Sequence, residues 1–188
     1  MQTKDDTLTK EMPSALWVFL EEACHLRPEE LQRLAPERLP QPDRSLLVHN
    51  RDMTSTLATF HRTSLRVTVL QQSQLGELYL REVFLQSADQ ATVVEYGVIA
   101  IALEQFSPVQ QAAIQAGKIP LGGLLHEFGI QFESKPTGFF SVSPATLTEK
   151  HRRALGGGVC YGRFNRLTKP TGEPLAWIME ILPRRDTD

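Results

Sequence analysis

Two charged residues lie inside apolar segments, where a charge is costly, and they are the first candidates for chemistry. Arg81 interrupts LYLREVFL, and Glu180 is the only charge in PLAWIMEILP. Both segments have the alternating, β-rich pattern of strands, which predicts that Tyr79 and Val83 flank Arg81 on one face. Burying either charge alone would cost several kcal/mol. Each therefore needs a partner, or Glu180 must be neutral.

The residues leave three interpretations of this pair open. Arg81 and Glu180 form an ion pair in the core, or both lie exposed at a sheet edge, or both face a buried polar pocket. In the pocket, Arg81 would bind a ligand carboxylate through two hydrogen bonds, and Glu180 would donate or accept a proton. Glu95, in TVVEYGV, is a third such charge and could equally face solvent from a half-buried strand.

The elements that must position these residues indicate an α+β fold. Strands are predicted over 65–74, 77–86, 91–103, 159–168 and 174–183, and helices over 14–26, 29–35, 52–61, 109–116 and 119–129. Short turns between consecutive strands favour an antiparallel sheet of about five or six strands, covered by helices. Residues 130–158 are read as a long excursion containing a short helix. We expect an N-terminal segment of short helices and a Pro-rich connector over 1–44, and the main domain over 45–188.

Composition narrows the classes of function. The chain has 188 residues, 41% of them hydrophobic, and a formal net charge of −2. This charge argues against a nucleic-acid partner, and no apolar run approaches the roughly 20 residues that span a bilayer. The polar N-terminus is not a signal peptide, so we expect a cytoplasmic protein, as a monomer or small homo-oligomer. Neither the two distant cysteines nor His61 and His126 have metal-ligand spacing, and no cofactor motif is found, so no cofactor is expected.

The order of four segments resembles the chorismate pyruvate-lyase (4-hydroxybenzoate synthase) family. The segments are RDMT at 51–54, YLREVFL at 79–85, KIPLGGLL at 118–125, and YGRFNRL followed by GEPLAWIMEILP within 161–183. The likeness covers residues 46–183. It implies a six-stranded antiparallel sheet whose helices enclose a buried ligand.

The resemblance also implies roles for individual residues. Arg81 would bind the ring carboxylate, and Glu180 would meet the hydroxyl end of the ring. Met53 would line the pocket, Leu121 would supply backbone and apolar contacts, and Gly122 would let the backbone approach the ligand closely. A second cation is needed for the pyruvyl carboxylate, and Arg163 is our candidate.

Three hypotheses of function follow. The resemblance implies a lyase that eliminates pyruvate from chorismate to give 4-hydroxybenzoate, with Arg81 and Glu180 as catalytic residues. The alternative is a non-catalytic domain that binds a small aromatic acid, because this type of fold also occurs in ligand-sensing domains of transcription regulators. The long 130–158 segment and the additional N-terminal helices favour altered substrate or loss of turnover. The third hypothesis is a purely structural domain with an Arg81–Glu180 core pair.

Overall fold

A single antiparallel sheet of seven strands organises the computed structural model, which describes residues 10–184. The strands are β1 (Gln32–Leu34), β2 (Leu65–Leu75), β3 (Leu78–Ser87), β4 (Val93–Ala102), β5 (Glu133–Val142), β6 (Cys160–Thr168) and β7 (Pro174–Leu182). The helices are α1 (Ser14–Cys24), α2 (Asp43–Leu47), α3 (Met53–His61), α4 (Pro108–Ala116), α5 (Leu121–Glu127) and α6 (Glu149–Leu155).

The sheet consists of two three-stranded meanders that meet through one pair of strands, with the short strand β1 added at the outer edge of β5. The order is β1-β5-β6-β7-β4-β3-β2, so β2-β3-β4 forms one meander and β5-β6-β7 the other. They join where β4 pairs with β7, from Tyr96 opposite Ile181 to Ile101 opposite Ala176. We call this pairing the β4–β7 junction.

Alternation along the central strands gives the sheet two different faces. On the back face, Leu80, Tyr96 and Met179 pack with α1 and with Leu155 of α6. On the front face, helices α2 to α5 cover the sheet, and their apolar residues form two separate clusters. The charged residues singled out above, Arg81, Glu95 and Glu180, belong to the front-face positions of their strands.

The structure confirms the α+β class and the five predicted strands to within two residues at each end. Helix α3 begins as predicted, because the Asp52 carboxylate accepts a hydrogen bond from the Ser55 backbone amide at 2.8 Å. Helix α4 begins with the reciprocal side-chain–backbone capping of Ser107 and Gln110, and it ends at Gly117 in the left-handed conformation.

Two predictions about the outer part of the sheet were wrong. Residues 29–35 do not form a helix. A short 3₁₀ turn covers residues 28–30, and the edge strand β1 follows it and pairs with β5. Strand β5 lies in the stretch read as an excursion. Its pairing is irregular between Pro136 and Gly138, and such an interruption hides a strand from pattern analysis. The sheet therefore has seven strands rather than about six.

The chain before residue 45 is part of the same core as the sheet. Leu16, Phe19 and Leu20 of α1 are fully buried against the back face. The boundary at residue 44 stays a prediction, but helix α1 and strand β1 both complete the layer arrangement around the sheet.

Candidate functional site

The two apolar clusters of the front face are separated by a cavity of about 70 Å³ on the central strands. Its apolar walls come from both meanders and from the helices above them, with Val83 on β3, Ile99 on β4 and Ile178 on β7. Its polar lining is Asp52, Thr54, Arg81, Glu95, Asn165 and Glu180. The cavity lies over the β4–β7 junction.

Arg81 contributes a buried cation to this cavity. Arg81 is only 2% exposed, and its Nη1 atom donates a hydrogen bond to the Ile114 carbonyl at 3.3 Å. Its Nε has no hydrogen-bond partner within residues 10–184, and no described carboxylate forms an ion pair with it. Burial lowers the pKa of Arg81, although a guanidinium remains charged at neutral pH. The cavity therefore contains a positive charge that no carboxylate of the described residues contacts as an ion pair.

The neighbouring residue on β3 shows what a satisfied buried charge looks like in this fold. Glu82 points to the back face, where Oε1 accepts a hydrogen bond from the Tyr96 hydroxyl at 2.9 Å. The same oxygen lies 2.5 Å from Nε2 of the buried His151. Arg81 has no comparable set of partners among the described residues. The protein therefore compensates the buried charge of Glu82 but not that of Arg81.

Glu180 is paired, but with a different cation from the one expected. Its Oε2 accepts a hydrogen bond from Nε of Arg163, which lies opposite it on β6 and is completely buried. Nη1 of Arg163 also donates to the carbonyl oxygens of Leu47 at 3.0 Å and His49 at 3.1 Å. The Arg163–Glu180 pair is therefore fixed to the C-terminal end of α2 and to the loop that follows it.

Glu95 is the third charged residue at the cavity, and it is 4% exposed. Its Oε2 has no hydrogen-bond partner in the described chain. Burial raises the pKa of Glu95 well above its ordinary value, the Glu180 carboxylate raises it further, and Arg163 lowers it. Glu95 therefore favours its protonated form as long as no cation contacts its carboxyl group.

Gly97 provides the space for the Glu95 carboxyl group. It lies opposite Val83 on one side and Glu180 on the other. A Cβ atom at this position would come within 3.0 Å of Glu95 Oε1 and 3.3 Å of Val83 Cγ2. A side chain here would push the carboxyl group away from the cavity floor.

The N-termini of α3 and α5 form the outer wall of the cavity. Met53 begins α3, Leu121 and Gly122 begin α5, and all three residues line the cavity. The two helices are linked at the rim, where Asp52 Oδ2 lies 3.6 Å from Nε2 of the exposed His126. Asp52 also lines a wider surface groove of about 750 Å³, so it lies between the cavity and solvent.

The structure brings five of the six predicted site residues to one cavity: Arg81, Glu180, Met53, Leu121 and Gly122. Arg163 is not among the lining residues, because it lies beside Glu180 and binds backbone carbonyls. An Arg81–Glu180 core pair is wrong, since Glu180 pairs with Arg163. Exposure at a sheet edge and a solvent-facing Glu95 are wrong too, because β3, β4 and β7 are interior strands.

Three polar residues of the cavity were not singled out from the sequence: Asn165, Asp52 and Thr54. Asn165 on β6 is 2% exposed and donates through Nδ2 to Ser134 Oγ at 3.0 Å. Asn165 lies between two arginines in RFNRL, and this basic segment gave no sign that one of its polar side chains is buried. Asp52 and Thr54 appeared only as members of the RDMT segment. An alternation analysis of β6 would have placed Asn165 on the same face as Arg163.

Comparison with known proteins identifies the fold. No family model matches the chain, and no curated protein matches it. The structure is similar to PhnF from Mycobacterium smegmatis, with a TM-score of 0.55 and 11% identity over 72% of this chain and 65% of PhnF. It is also similar to the effector domain of PhnF, with a TM-score of 0.54 and 11% identity over 81% of this chain and 91% of that domain.

The chain thus spans less than two thirds of the length of PhnF but most of its effector domain. It has the α+β fold of that domain. Among residues 10–184, no helix is long and apolar enough to cross a membrane.

Proposed function

We propose that this chain is a ligand-binding domain whose cavity binds a small aromatic carboxylic acid without turning it over. The observation that carries the proposal is Arg81, a buried cation that faces a partly apolar cavity and has no counter-ion among the described residues. A buried charge is retained at a cost to stability, so an unpaired one indicates a partner that arrives from outside.

The chemistry of Arg81 favours a carboxylate as that partner. A guanidinium binds a carboxylate through two parallel hydrogen bonds, and this geometry needs two free N–H groups on one edge of the guanidinium. Nε of Arg81 has no hydrogen-bond partner between residues 10 and 184, while Nη1 donates to the Ile114 carbonyl at 3.3 Å. The edge formed by Nε and Nη2 is therefore the one we assign to the ligand.

The size and walls of the cavity favour a single ring. One water molecule needs roughly 10–15 Å³ of such space, so a cavity of about 70 Å³ has room for about five. Val83, Ile99 and Ile178 supply flat apolar surface on the sheet, and Leu121 closes the opposite side. Apolar walls with a few placed polar groups are typical of small-molecule sites.

Two observations favour binding over catalysis. Elimination of pyruvate from chorismate needs cations for two carboxylates, but Arg163 already binds Glu180 and two carbonyl oxygens. The structural similarity to PhnF points the same way, since the matching part of PhnF is its effector domain. We also propose, from the sequence, that the domain works in the cytoplasm, as a monomer or small homo-oligomer.

Chorismate lyase activity is the second candidate. It is supported by the five residues implied by the family resemblance, since all of them line the same cavity. In that case Arg81 would bind the ring carboxylate, Glu180 would act on the hydroxyl end, and the products would be 4-hydroxybenzoate and pyruvate.

Titration calorimetry with benzoate and 4-hydroxybenzoate tests the proposed binding. We expect both compounds to bind wild-type protein, and we expect Arg81→Met to lose binding by at least 100-fold. Arg66→Met is the matched control, because Arg66 is exposed on β2 and its replacement removes the same charge outside the cavity. Equal affinity in the wild type and Arg81→Met, or no binding by the wild type, would overturn the proposal.

A pyruvate-release assay with chorismate separates the two candidates. We expect no pyruvate above the spontaneous rate from protein that binds 4-hydroxybenzoate. Steady release of pyruvate that disappears in Arg81→Met and Glu180→Gln would instead establish the lyase.

A further inference from the structure

Two glutamate carboxyl groups line the cavity together with Arg81, which is more than one ligand hydroxyl requires. Glu180 and Glu95 both line it, and Gly97 lies opposite Glu180 and beneath the Glu95 carboxyl group. Arg163 satisfies Glu180 through its Nε. Glu95 keeps one carboxyl oxygen without a partner among residues 10–184.

The buried ionisable groups in and beside the cavity are not all paired. Arg163 and Glu180 neutralise each other, whereas neither Arg81 nor Glu95 has an oppositely charged group in ion-pair contact within the described chain. A ligand carboxylate would give Arg81 a counter-ion but leave Oε2 of Glu95 without a partner. A ligand that also has an ammonium group would stabilise the ionised form of Glu95, whose proton would pass to solvent, and both groups would then be paired.

The sheet register places the two groups along one line of the cavity floor. Arg81 lies opposite Ile99 on β4, and the backbone of Glu95 lies four residues further along the same strand. The Glu95 side chain turns back over Gly97, so its carboxyl group lies nearer to Arg81 than the backbone of Glu95 does. A ligand that contacts both groups must therefore be short, and a single ring with one substituent at each end is such a ligand.

We propose that Glu95 is a specificity-determining residue that selects ring ligands bearing an amine opposite their carboxylate. This inference rests on the proposed function, since Arg81 must first bind the carboxylate. The ammonium group donates to the unpaired Oε2 of Glu95, and the apolar walls contact the ring between the two charged ends. Gly97 keeps the Glu95 carboxyl group at the floor of the cavity.

Three ligands of nearly equal shape test the proposal on the intact chain at pH 8. They are 4-(aminomethyl)benzoate, 4-(hydroxymethyl)benzoate and 4-ethylbenzoate, with benzoate as the common reference. We expect the amine to bind the wild type at least tenfold more tightly than the hydroxyl compound, and the ethyl compound to bind most weakly.

The variant Glu95→Gln provides the second part of the test. We expect it to lose the preference for the amine, measured within the variant as the ratio of the affinities for the amine and for the hydroxyl compound. Glu77→Gln, an exposed position before β3, is the control and should keep the preference. The ligand series in the wild type does not depend on how the variant folds.

The two kinds of failure are distinguishable. If benzoate binds but the amine is not preferred, or if Glu95→Gln retains the preference, the role of Glu95 is overturned and the proposed function stands. If benzoate itself does not bind the wild type, the proposed function is overturned and the role of Glu95 with it.

Discussion

Arg81 and Glu82 are neighbours on β3, yet only Glu82 is satisfied by the protein. Glu82 has hydrogen-bond partners in Tyr96 and His151, whereas Arg81 has one carbonyl and an unpaired Nε. The same strand can thus bury a charge with full compensation. The incomplete compensation of Arg81 is therefore attributed to function rather than to a limit of the fold.

Replacing Arg81 by methionine should increase the stability of the ligand-free protein. Methionine removes the buried charge and preserves much of the side-chain volume, so we expect the free energy of unfolding to rise by about 1–2 kcal/mol. The Ile114 carbonyl keeps its bond from the Gly117 amide at 3.2 Å. Urea denaturation without ligand measures the change. A loss of more than about 1 kcal/mol would mean that Arg81 has a structural partner.

Glu95 should make stability depend on pH. Its pKa in the folded protein is raised by burial and by Glu180, so the folded state retains a proton that the unfolded state releases. The stabilising contribution of this proton is complete below the unfolded pKa of about 4.5 and is lost as pH rises toward the folded pKa. We expect the stability of the wild type to fall relative to Glu95→Gln above about pH 4.5.

Urea denaturation at several pH values between 4 and 8 measures this difference. Glu77→Gln is the control, because Glu77 is exposed and should follow the wild-type curve. Parallel curves for the wild type and Glu95→Gln would show that the folded and unfolded pKa values of Glu95 are equal.

The sequence indicated some of these residues because an isolated charge in an apolar strand is conspicuous. Arg81 and Glu180 met that criterion, and both line the cavity. Arg163 and Asn165 did not, because the strand between 159 and 168 contains several polar residues. Which cation pairs with Glu180 depends on strand order, and local pattern does not contain that information. Glu95 was recognised as unusual, but its exposure depends on β4 being an interior strand.

At the scale of elements, strands β5, β6 and β7 pack very closely at Gly162. Gly162 lies on β6 beside Arg163, facing the back layer. A Cβ atom there would come within 2.5 Å of both the Glu180 carbonyl oxygen and Phe140 Cζ. Because one of these atoms belongs to the backbone of β7, a side chain at this position must displace the strand that carries Glu180.

We therefore expect Gly162→Ala to lower the free energy of unfolding by about 3 kcal/mol and to weaken ligand binding. Gly157→Ala is the matched control, because a Cβ atom added at Gly157 would have no heavy atom within 4 Å. Thermal and urea denaturation of the two variants measure the difference. Equal stability would mean that β6 and β7 separate easily at this point.

Elements with an uninterrupted local pattern were predictable, and elements that depend on distant partners were not. Helix α3 has its own cap and β3 its own alternation, so both were located from sequence. Strand β1 has three residues and exists only because it pairs with β5. Strand β5 contains Pro136 and an irregular pairing, which together remove the alternation that would identify it.

At the scale of the whole molecule, the cavity lies where the two meanders meet. Arg81 and Gly97 belong to one meander and Glu180 to the other. A bound ligand therefore contacts both. At 100 times the dissociation constant, binding stabilises the folded state by about 2.7 kcal/mol, which corresponds to roughly 100-fold slower exchange through global unfolding.

Hydrogen–deuterium exchange with saturating 4-hydroxybenzoate tests this expectation. We expect amides of β3, β4 and β7 to be protected together, whereas the exposed N-terminal part of α6 changes little. Protection confined to β2, β3 and β4 would show that the ligand does not reach the second meander.

The position of the cavity over the β4–β7 junction has a mechanical consequence. The outermost strands β1 and β2 are six strand spacings apart, or about 29 Å at about 4.8 Å each. A small rotation about the line where the halves meet produces a displacement that grows with distance from it. Occupancy at the centre would thus be transmitted most strongly to the two rims of the sheet, where a neighbouring molecule could sense it.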